Sequence, residues 1–189
     1  ANKKNARRLN ATLAFLDESG FMLQPLVRRS WAPRGRTPIV RGWDRRDRLS
    51  VIAAVTVPPR RERHTLGAVF RIHGRNIKTP QAAEFLRTLD RHARGPLIVV
   101  LDRLNVHKAA TRRWLAARPP HAPRVRVEWL PPYAPELNPA EQLWNHGKRV
   151  DLANLAPADS ADLRGHVRRS LIRQRHSPNL LASFFDHAG

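Results

Sequence analysis

The chain has 189 residues and a formal net charge of +20, because 35 Lys and Arg side chains face only 15 Asp and Glu. It has no cysteine, which excludes disulfides and zinc sites that use thiolates. No apolar run approaches the roughly 18–20 residues that span a bilayer, and no apolar stretch of a signal peptide follows the basic first residues. The length predicts one domain with a substantial core. The charge predicts a polyanionic partner, above all nucleic acid.

The first half of the chain is predicted to be β-rich after a basic arm or linker over residues 1–11. Short apolar runs predict strands over residues 12–16, 21–23, 49–57 and 65–72. Ser19-Gly20 predicts a turn that joins the first two runs as a hairpin. Between residues 27 and 48, prolines, glycines and arginines predict a long irregular segment.

Helix and strand signals alternate in the second half. Thr79-Pro80 is typical of a helix start. Helices are predicted over residues 79–94, 108–118, from Asn138-Pro139 to about Val150, and 159–175, with strands over 97–101 and 125–129 and a short apolar tail at 180–185. Three β elements followed by this alternation favour a mixed α/β sheet flanked by helices. The predicted organisation is a core domain over residues 12–150 and a C-terminal helical extension over 151–189 that packs on it.

Three acidic residues occupy notable positions in so basic a chain. Asp17 ends a predicted strand, Asp102 follows the most apolar strand, and Glu141 lies in the first turn of a predicted helix. Carboxylates placed in this way can converge on a Mg²⁺ site, and two such ions can act on both oxygens of a phosphodiester displacement. Each acid also has a structural alternative: a hairpin turn for Asp17, a cap for Asp102, and a capping box with Asn138 for Glu141.

Three segments carry a resemblance to a known family. Residues 16–20 (LDESG), 101–108 (LDRLNVHK) and 130–144 (LPPYAPELNPAEQLW) closely resemble the signature blocks of DDE transposases. The nearest resemblance is to the bacterial insertion-sequence branch of the mariner superfamily. The acids are spaced by 85 residues (102 − 17) and 39 residues (141 − 102), as in that family. The resemblance runs from about residue 10 to 185 and implies a ribonuclease-H-like fold over the core domain and DNA strand cleavage followed by strand transfer.

The resemblance also implies roles for individual residues. Asp17 and Asp102 would be shared ligands of two Mg²⁺ or Mn²⁺ ions and Glu141 the third, with water and then a DNA 3′-hydroxyl attacking phosphate. His107 would support the ligands or contact phosphate, and Asn105 would do so or cap the following helix; simple packing remains the alternative for His107. The implied partners are transposon ends and target DNA, on which the chain would assemble as a homodimer. The implied location is cytoplasmic and nucleoid-associated, with no membrane contact.

A second group of candidates is predicted to bind DNA through arginine. Arginine side chains bind phosphates bidentately, and the predicted contacts are Arg28, Arg29, Arg34, Arg36, Arg45 and Arg46. Trp31 lies among the first four, and anchoring the segment to the core and contacting a base both remain open. The helix over residues 159–175 is predicted either to pack with its arginines outward or to contact DNA or a second protomer.

Two departures from the family pattern keep other functions open. Gly147 falls where family helices continue apolar, and glycine inside a helix costs about 1 kcal/mol, so this helix is expected to be weakened or to end early. Nothing before residue 12 has the length of a helix-turn-helix module, so sequence-specific targeting is not expected from this chain alone. A ribonuclease-H-like nuclease without strand transfer and an inactive DNA-binding transposase remnant are the alternatives.

Overall fold

A mixed five-stranded sheet forms the centre of the molecule. The computed structural model describes residue 6 and residues 8–39, 47–59, 66–132 and 134–186. The strands are β1 (Thr12–Met22), β2 (Arg48–Val57), β3 (Gly67–His73), β4 (Leu97–Leu101) and β5 (Val125–Trp129), in the spatial order β3-β2-β1-β4-β5. The first three pair antiparallel, whereas β4 pairs parallel with β1 and with β5. The predicted α/β class, a mixed sheet flanked by helices, is confirmed.

Helices cover both faces of this sheet. They are α1 (Thr79–Ala93), α2 (Asn105–Ala116), α3 (Ala140–His146), α4 (Ser160–Arg175) and α5 (Pro178–Asp186). A 3₁₀ turn, Pro135–Leu137, precedes α3, and a π-helical turn, Gly147–Asp151, follows it. Across the described ranges, no helix combines the length and the apolar character that crossing a membrane requires.

Alternating side chains of β1 divide the core into two layers. Leu13 and Phe15 pack in the layer that contains residues of α3, α4 and α5. Ala14 and Leu16 pack in the opposite layer, with α1 and α2. Successive side chains of a strand point to opposite faces, so the long central strand β1 supplies both layers. Leu16 and Glu18, on either side of Asp17, therefore face one set of helices, and Asp17 faces the other.

The predicted hairpin at the start of the chain is wrong. β1 continues without a turn for 11 residues, and Asp17 lies within it rather than at its end. Ser19 pairs with Val51 and Gly20 with Ser50 of β2. Hydrogen bonding along this ladder satisfies the backbone that a turn would have left unpaired, and it overrides the local turn preference of the Ser-Gly pair.

The helix after Glu141 ends early, as Gly147 led us to expect, and not near Val150. α3 stops at His146, and the chain continues as the π-helical turn. Gly147 is buried, and a Cβ there would lie 3.5 Å from both Ser170 Oγ and Gln174 Nε2 of α4. A methyl group would therefore fit at ordinary contact distance, so the packing of α4 does not by itself require a glycine here.

The C-terminal helices pack against the sheet. Leu163, Val167 and Leu171 of α4 and Phe184 and Phe185 of α5 are buried in the same layer as Phe15. The arginines of α4 at 164, 168, 169, 173 and 175 are exposed, so the predicted outward orientation is confirmed. The boundaries of the arm, the core domain and the extension remain predictions.

Candidate active site

The register between the parallel strands brings two of the predicted acids to the same height. Thr12 pairs with Leu97 and Phe15 with Val100, so paired residues of β1 and β4 differ by 85 in number (97 − 12). Asp17 and Asp102 differ by the same 85 (102 − 17). When this register is extended by two residues beyond Phe15, the two aspartates lie side by side, just past the end of β4.

All three predicted acids line one cavity. Asp17, Asp102 and Glu141 border a space of about 450 Å³. Its remaining walls come from the segments after β4 and β5: Arg103, Leu104, Leu130, Pro131, Pro132, Ala134 and Asn138. The carboxylate of Glu141 reaches this space from the first turn of α3. The three acids therefore border the same cavity.

Asn138 fastens the third segment to β1. Its side chain is buried; Nδ2 donates to the Leu16 carbonyl oxygen at 3.1 Å, and Oδ1 accepts from the Ala140 N–H at 3.1 Å. The bond from Ala140 is the contact expected of a helix-capping Asn138, although α3 begins at Ala140 with Pro139 in the N-cap position. Because Leu16 precedes Asp17, the bond to its carbonyl holds the start of α3 beside the aspartate.

Asp17 lies in an environment that disfavours its charge. Burial and the nearby negative charge of Glu141 raise the pKa of Asp17 to about 7, and Asp102 contributes a smaller effect in the same direction. Trp144 Nε1 donates to Asp17 Oδ2 at 2.7 Å and favours the carboxylate form. Trp144 is buried and packs edge-to-face on Phe21 at 6.1 Å. Trp144 therefore fills a place in the core and also donates to a carboxylate of the site.

Asp102 lies in an environment that favours its charge. Burial opposes ionisation, but the hydrogen bond and charge of His107 outweigh it, and the pKa of Asp102 is lowered. His107 Nδ1 contacts Asp102 Oδ1, and the Leu104 N–H donates to the same oxygen at 3.1 Å. His107 Nε2 lies 3.2 Å from Glu18 Oε1. Although burial lowers it, the hydrogen bonds to Asp102 and Glu18 raise the pKa of His107 to about 9.

A lysine borders the acidic cluster on the side of α3. Lys148, in the π-helical turn, donates from Nζ to Ser19 Oγ at 2.7 Å and lies 5.2 Å from the ring centre of Phe21. Burial lowers the pKa of Lys148, while the charges of Glu141 and Asp17 oppose this. The turn after α3 therefore returns a positive charge to the neighbourhood of two of the acids.

The donor set suits a hard divalent cation. Three carboxylates around a single cavity are the oxygen ligands that Mg²⁺ and Mn²⁺ prefer. The raised pKa of Asp17 reflects its burial and, after that, the negative charges of Glu141 and Asp102. Within the ranges that the structure describes, no three Asp, Glu or His side chains are gathered closely enough to hold a metal as they stand. The residues fit such a cation in chemistry and location, without forming a closed coordination shell.

The other predicted site residues are dispersed. Asn105 begins α2 and is exposed, outside the lining of the cavity. Arg28, Arg29, Arg34 and Arg36 are all exposed on the irregular segment after β1. Arg45 and Arg46 lie outside the described residues. Trp31 is 100% exposed, which excludes the core-anchor alternative.

Three contacting residues were not identified from the sequence as part of the site: Glu18, Lys148 and, as a hydrogen-bond donor, Trp144. One signal was available for Trp144, because residues three apart on a helix are neighbours and Glu141 precedes it by three. The alternation of side chains along β1 turns Glu18 away from Asp17 and toward α2. What could not be foreseen was that α2 presents His107 there.

Comparison with known proteins agrees with the fold and identifies a family. The family model described as DDE superfamily endonuclease matches residues 12–164. Among solved structures, the Mos1 mariner paired-end complex with Mn aligns with a TM-score of 0.62 at 12% identity, covering 99% of this chain and 57% of that one. The Mos1 paired-end complex with the left transposon end gives 0.60 at 16% identity, covering 100% and 59%.

The Mos1 strand transfer complex aligns with a TM-score of 0.59 at 15% identity, covering all of this chain and 58% of that one. The chain therefore spans somewhat less than three-fifths of the length of the Mos1 chains. At identities this low, the structural alignments show a shared fold and no more; this is the ribonuclease-H-like fold that was predicted. A search of curated proteins returned no significant match.

Proposed function

Since the chain belongs to the DDE superfamily endonuclease family, we propose that it is the catalytic core of a DNA transposase. In this proposal it cleaves DNA strands with divalent metal ions and joins the resulting 3′ ends to target DNA. The observation that carries the proposal is the meeting of Asp17, Asp102 and Glu141 around one cavity. The bacterial insertion-sequence branch and a cytoplasmic, nucleoid-associated location belong to the same proposal.

Asp17, Asp102 and Glu141 would hold two Mg²⁺ or Mn²⁺ ions. Bound there, such ions supply an activated oxygen nucleophile and stabilise the charge on the attacking and leaving oxygens of a phosphodiester. Because His107 stabilises its charge, Asp102 already favours the ionised form that would bind a cation. Asp17 is kept oriented by the indole of Trp144. Asn138 holds the segment that carries Glu141 against β1.

The DNA substrate would be attracted by the arginines. Arg28, Arg29, Arg34 and Arg36 lie on one exposed segment that leaves β1 a few residues beyond Asp17, and Arg103 lines the cavity itself. Arginine forks neutralise phosphates irrespective of base sequence. Arg45, Arg46 and Asn105 remain predicted contacts. Assembly as a homodimer on transposon ends and target DNA is supported by the printed descriptions of the Mos1 structures as paired-end and strand transfer complexes.

The experiment that tests this function offers duplex DNA and, separately, duplexes with recessed 3′-hydroxyl ends plus a plasmid target, with Mg²⁺ or Mn²⁺. The wild-type chain should nick and join, whereas Asp102→Asn and Glu141→Gln should lose about 1,000-fold or more of each activity. Asp186→Asn, which neutralises an exposed acid at the end of α5, is the matched control and should be active.

The possible results separate the alternatives. Cleavage without joining would favour a ribonuclease-H-like nuclease. DNA binding with neither reaction under any metal condition would contradict the enzyme proposal and favour an inactive remnant. Activity that survives in Asp102→Asn would show that a different site carries it.

A further inference from the structure

Glu18 and Asp17 are adjacent in β1 but serve opposite faces of the sheet. Asp17 contacts Trp144 of α3, and Glu18 contacts His107 of α2. This division follows from the alternation of side chains along a strand. Glu18 does not line the cavity that the three acids share. The side chain of Glu18 can therefore act on that cavity through a residue that contacts both Glu18 and one of the three acids.

His107 is the residue that connects Glu18 to the cavity. Its side chain is 2% exposed, and its two ring nitrogens are each within reach of a carboxylate, Nδ1 at Asp102 and Nε2 at Glu18. Contacts at both ring nitrogens restrict rotation of the imidazole about its Cβ–Cγ bond more than either contact does alone. The Glu18 contact, at 3.2 Å, joins β1 to α2 across 89 residues of sequence.

The ring in turn fixes the carboxylate of Asp102. Both donors to Asp102, the Leu104 N–H and His107 Nδ1, engage the same oxygen, Oδ1. Among the described residues, no hydrogen bond to Oδ2 is found. The carboxylate is thus held by one oxygen, which orients the other for a ligand. Residues that orient metal ligands in this manner typically change metal affinity or activity 10–100-fold when replaced.

We propose that Glu18 is a positioning residue of the active site: by holding His107 Nε2, it keeps Nδ1 on Asp102 Oδ1 and so directs the Asp102 carboxylate toward the metal ions. The inference rests on the proposed function, in which Asp102 binds metal. It assigns Glu18 no contact with substrate or with the ions.

The test measures Mn²⁺ affinity by calorimetry, together with DNA cleavage, on the full chain. Glu18→Ala removes the contact to His107 and should weaken both by about 10–100-fold. Glu18→Gln keeps an oxygen acceptor and an N–H donor at the same distance from the strand, so it should rescue both to near wild-type values. Glu84→Ala is the matched control: Glu84 is an exposed acid of α1 paired with Arg71, and its loss should change neither readout.

A double-mutant cycle separates positioning from general stability. If Glu18 acts only through His107, Glu18→Ala should have almost no further effect on Mn²⁺ affinity in a His107→Ala background. Additive losses would overturn the inference, as would unchanged Mn²⁺ affinity in Glu18→Ala. Should Glu18→Ala fail to fold, Glu18→Val, which suits a strand better, takes its place in the same comparisons.

Failure of this inference can be told apart from failure of the proposed function. If wild type binds Mn²⁺ and Asp102→Asn loses it while Glu18→Ala does not, only the role of Glu18 is wrong. If wild type itself binds no Mn²⁺, the metal-dependent function is wrong and the positioning role is wrong with it.

Discussion

The two aspartates of the site lie next to each other but in opposite environments. Asp17 is buried beside α3, and burial together with Glu141 raises its pKa to about 7. Asp102 meets His107 of α2 and the Leu104 N–H, and its pKa is lowered. Yet the register of β1 with β4, extended beyond Phe15, places both residues at the same height and on the same face of the sheet. The difference thus comes from the helix that each carboxylate contacts and not from the strands.

This contrast shows how the fold stores an unfavourable charge where a cation is expected. Ionised Asp17 opposes the stability of the metal-free protein, because the folded state favours the protonated form more than the unfolded chain does. Asp102 has the opposite effect above its unfolded pKa, because His107 stabilises its charge. Sites that bind and react commonly sacrifice stability in this way.

Replacing each aspartate by asparagine should give the largest effects, and the two substitutions should change stability in opposite directions. At pH 8 without metal, Asp17→Asn should raise the free energy of unfolding by about 2 kcal/mol, since it removes a buried charge and leaves an oxygen for Trp144 Nε1. Asp102→Asn should lower the free energy of unfolding by about 1 kcal/mol, a value reduced for solvent screening of a half-exposed pair. Both should lose cleavage.

Urea unfolding at pH 8 measures these two changes. The stabilisation by Asp17→Asn should disappear as the pH falls to about 4, where the wild-type aspartate is protonated in the folded state. Equal destabilisation by both substitutions would mean that the environments of the two aspartates do not differ as described. Adding Mg²⁺ should stabilise wild type but not Asp17→Asn.

A matched pair of tryptophan substitutions tests whether the indole N–H of Trp144 supports the site, and the expected effect is intermediate. Trp144→Phe keeps a ring against Phe21 but removes the donor to Asp17, so Mn²⁺ affinity should fall by about tenfold or more. Trp114→Phe makes the same change on the α2 face, where Nε1 is buried and has no hydrogen-bond partner among the described residues. It should leave Mn²⁺ affinity unchanged.

Calorimetric titration of Mn²⁺ into both variants checks the prediction, with thermal unfolding to show that each is folded. Equal losses of affinity in the two variants would indicate a general effect of core packing. No loss in Trp144→Phe would mean that the indole only fills space beside Asp17.

Much of the sheet, but not the environment of each acid, could be predicted from the sequence. The strands at 97–101 and 125–129 have the predicted bounds because their apolar runs are closed by glycine, proline and charged residues. β1 was mispredicted because Ser19 and Gly20 favour a turn locally, and only pairing with β2 keeps them extended. Local preference loses to such tertiary pairing.

The site shows the same limit. The 85-residue spacing of Asp17 and Asp102 is present in the sequence, but it indicates alignment only when β1 and β4 are known to be parallel neighbours. Hydrophobic patterning predicts that Trp144 is buried and leaves open what its N–H contacts. In the same way, it predicts the side of β1 that Glu18 faces and leaves open which side chain of α2 it meets.

Gly147 offers the smallest effect and sharpens the description of the α3 face. Its φ of −55° and ψ of −50° suit any residue, and an added Cβ would lie 3.5 Å from Ser170 Oγ and Gln174 Nε2, an ordinary contact distance. Gly147→Ala should therefore stabilise the chain by about 0.4–1 kcal/mol through loss of freedom in the unfolded state, with cleavage retained. Gly147→Leu should destabilise it, because α4 leaves no room beyond the first carbon.

Thermal unfolding of the two variants measures both changes in stability. A loss of stability in Gly147→Ala as large as in Gly147→Leu would mean that the turn behind Asp17 tolerates no side chain at all. The glycine would then be required by the packing of α4 and would not favour the alternative of an inactive transposase remnant.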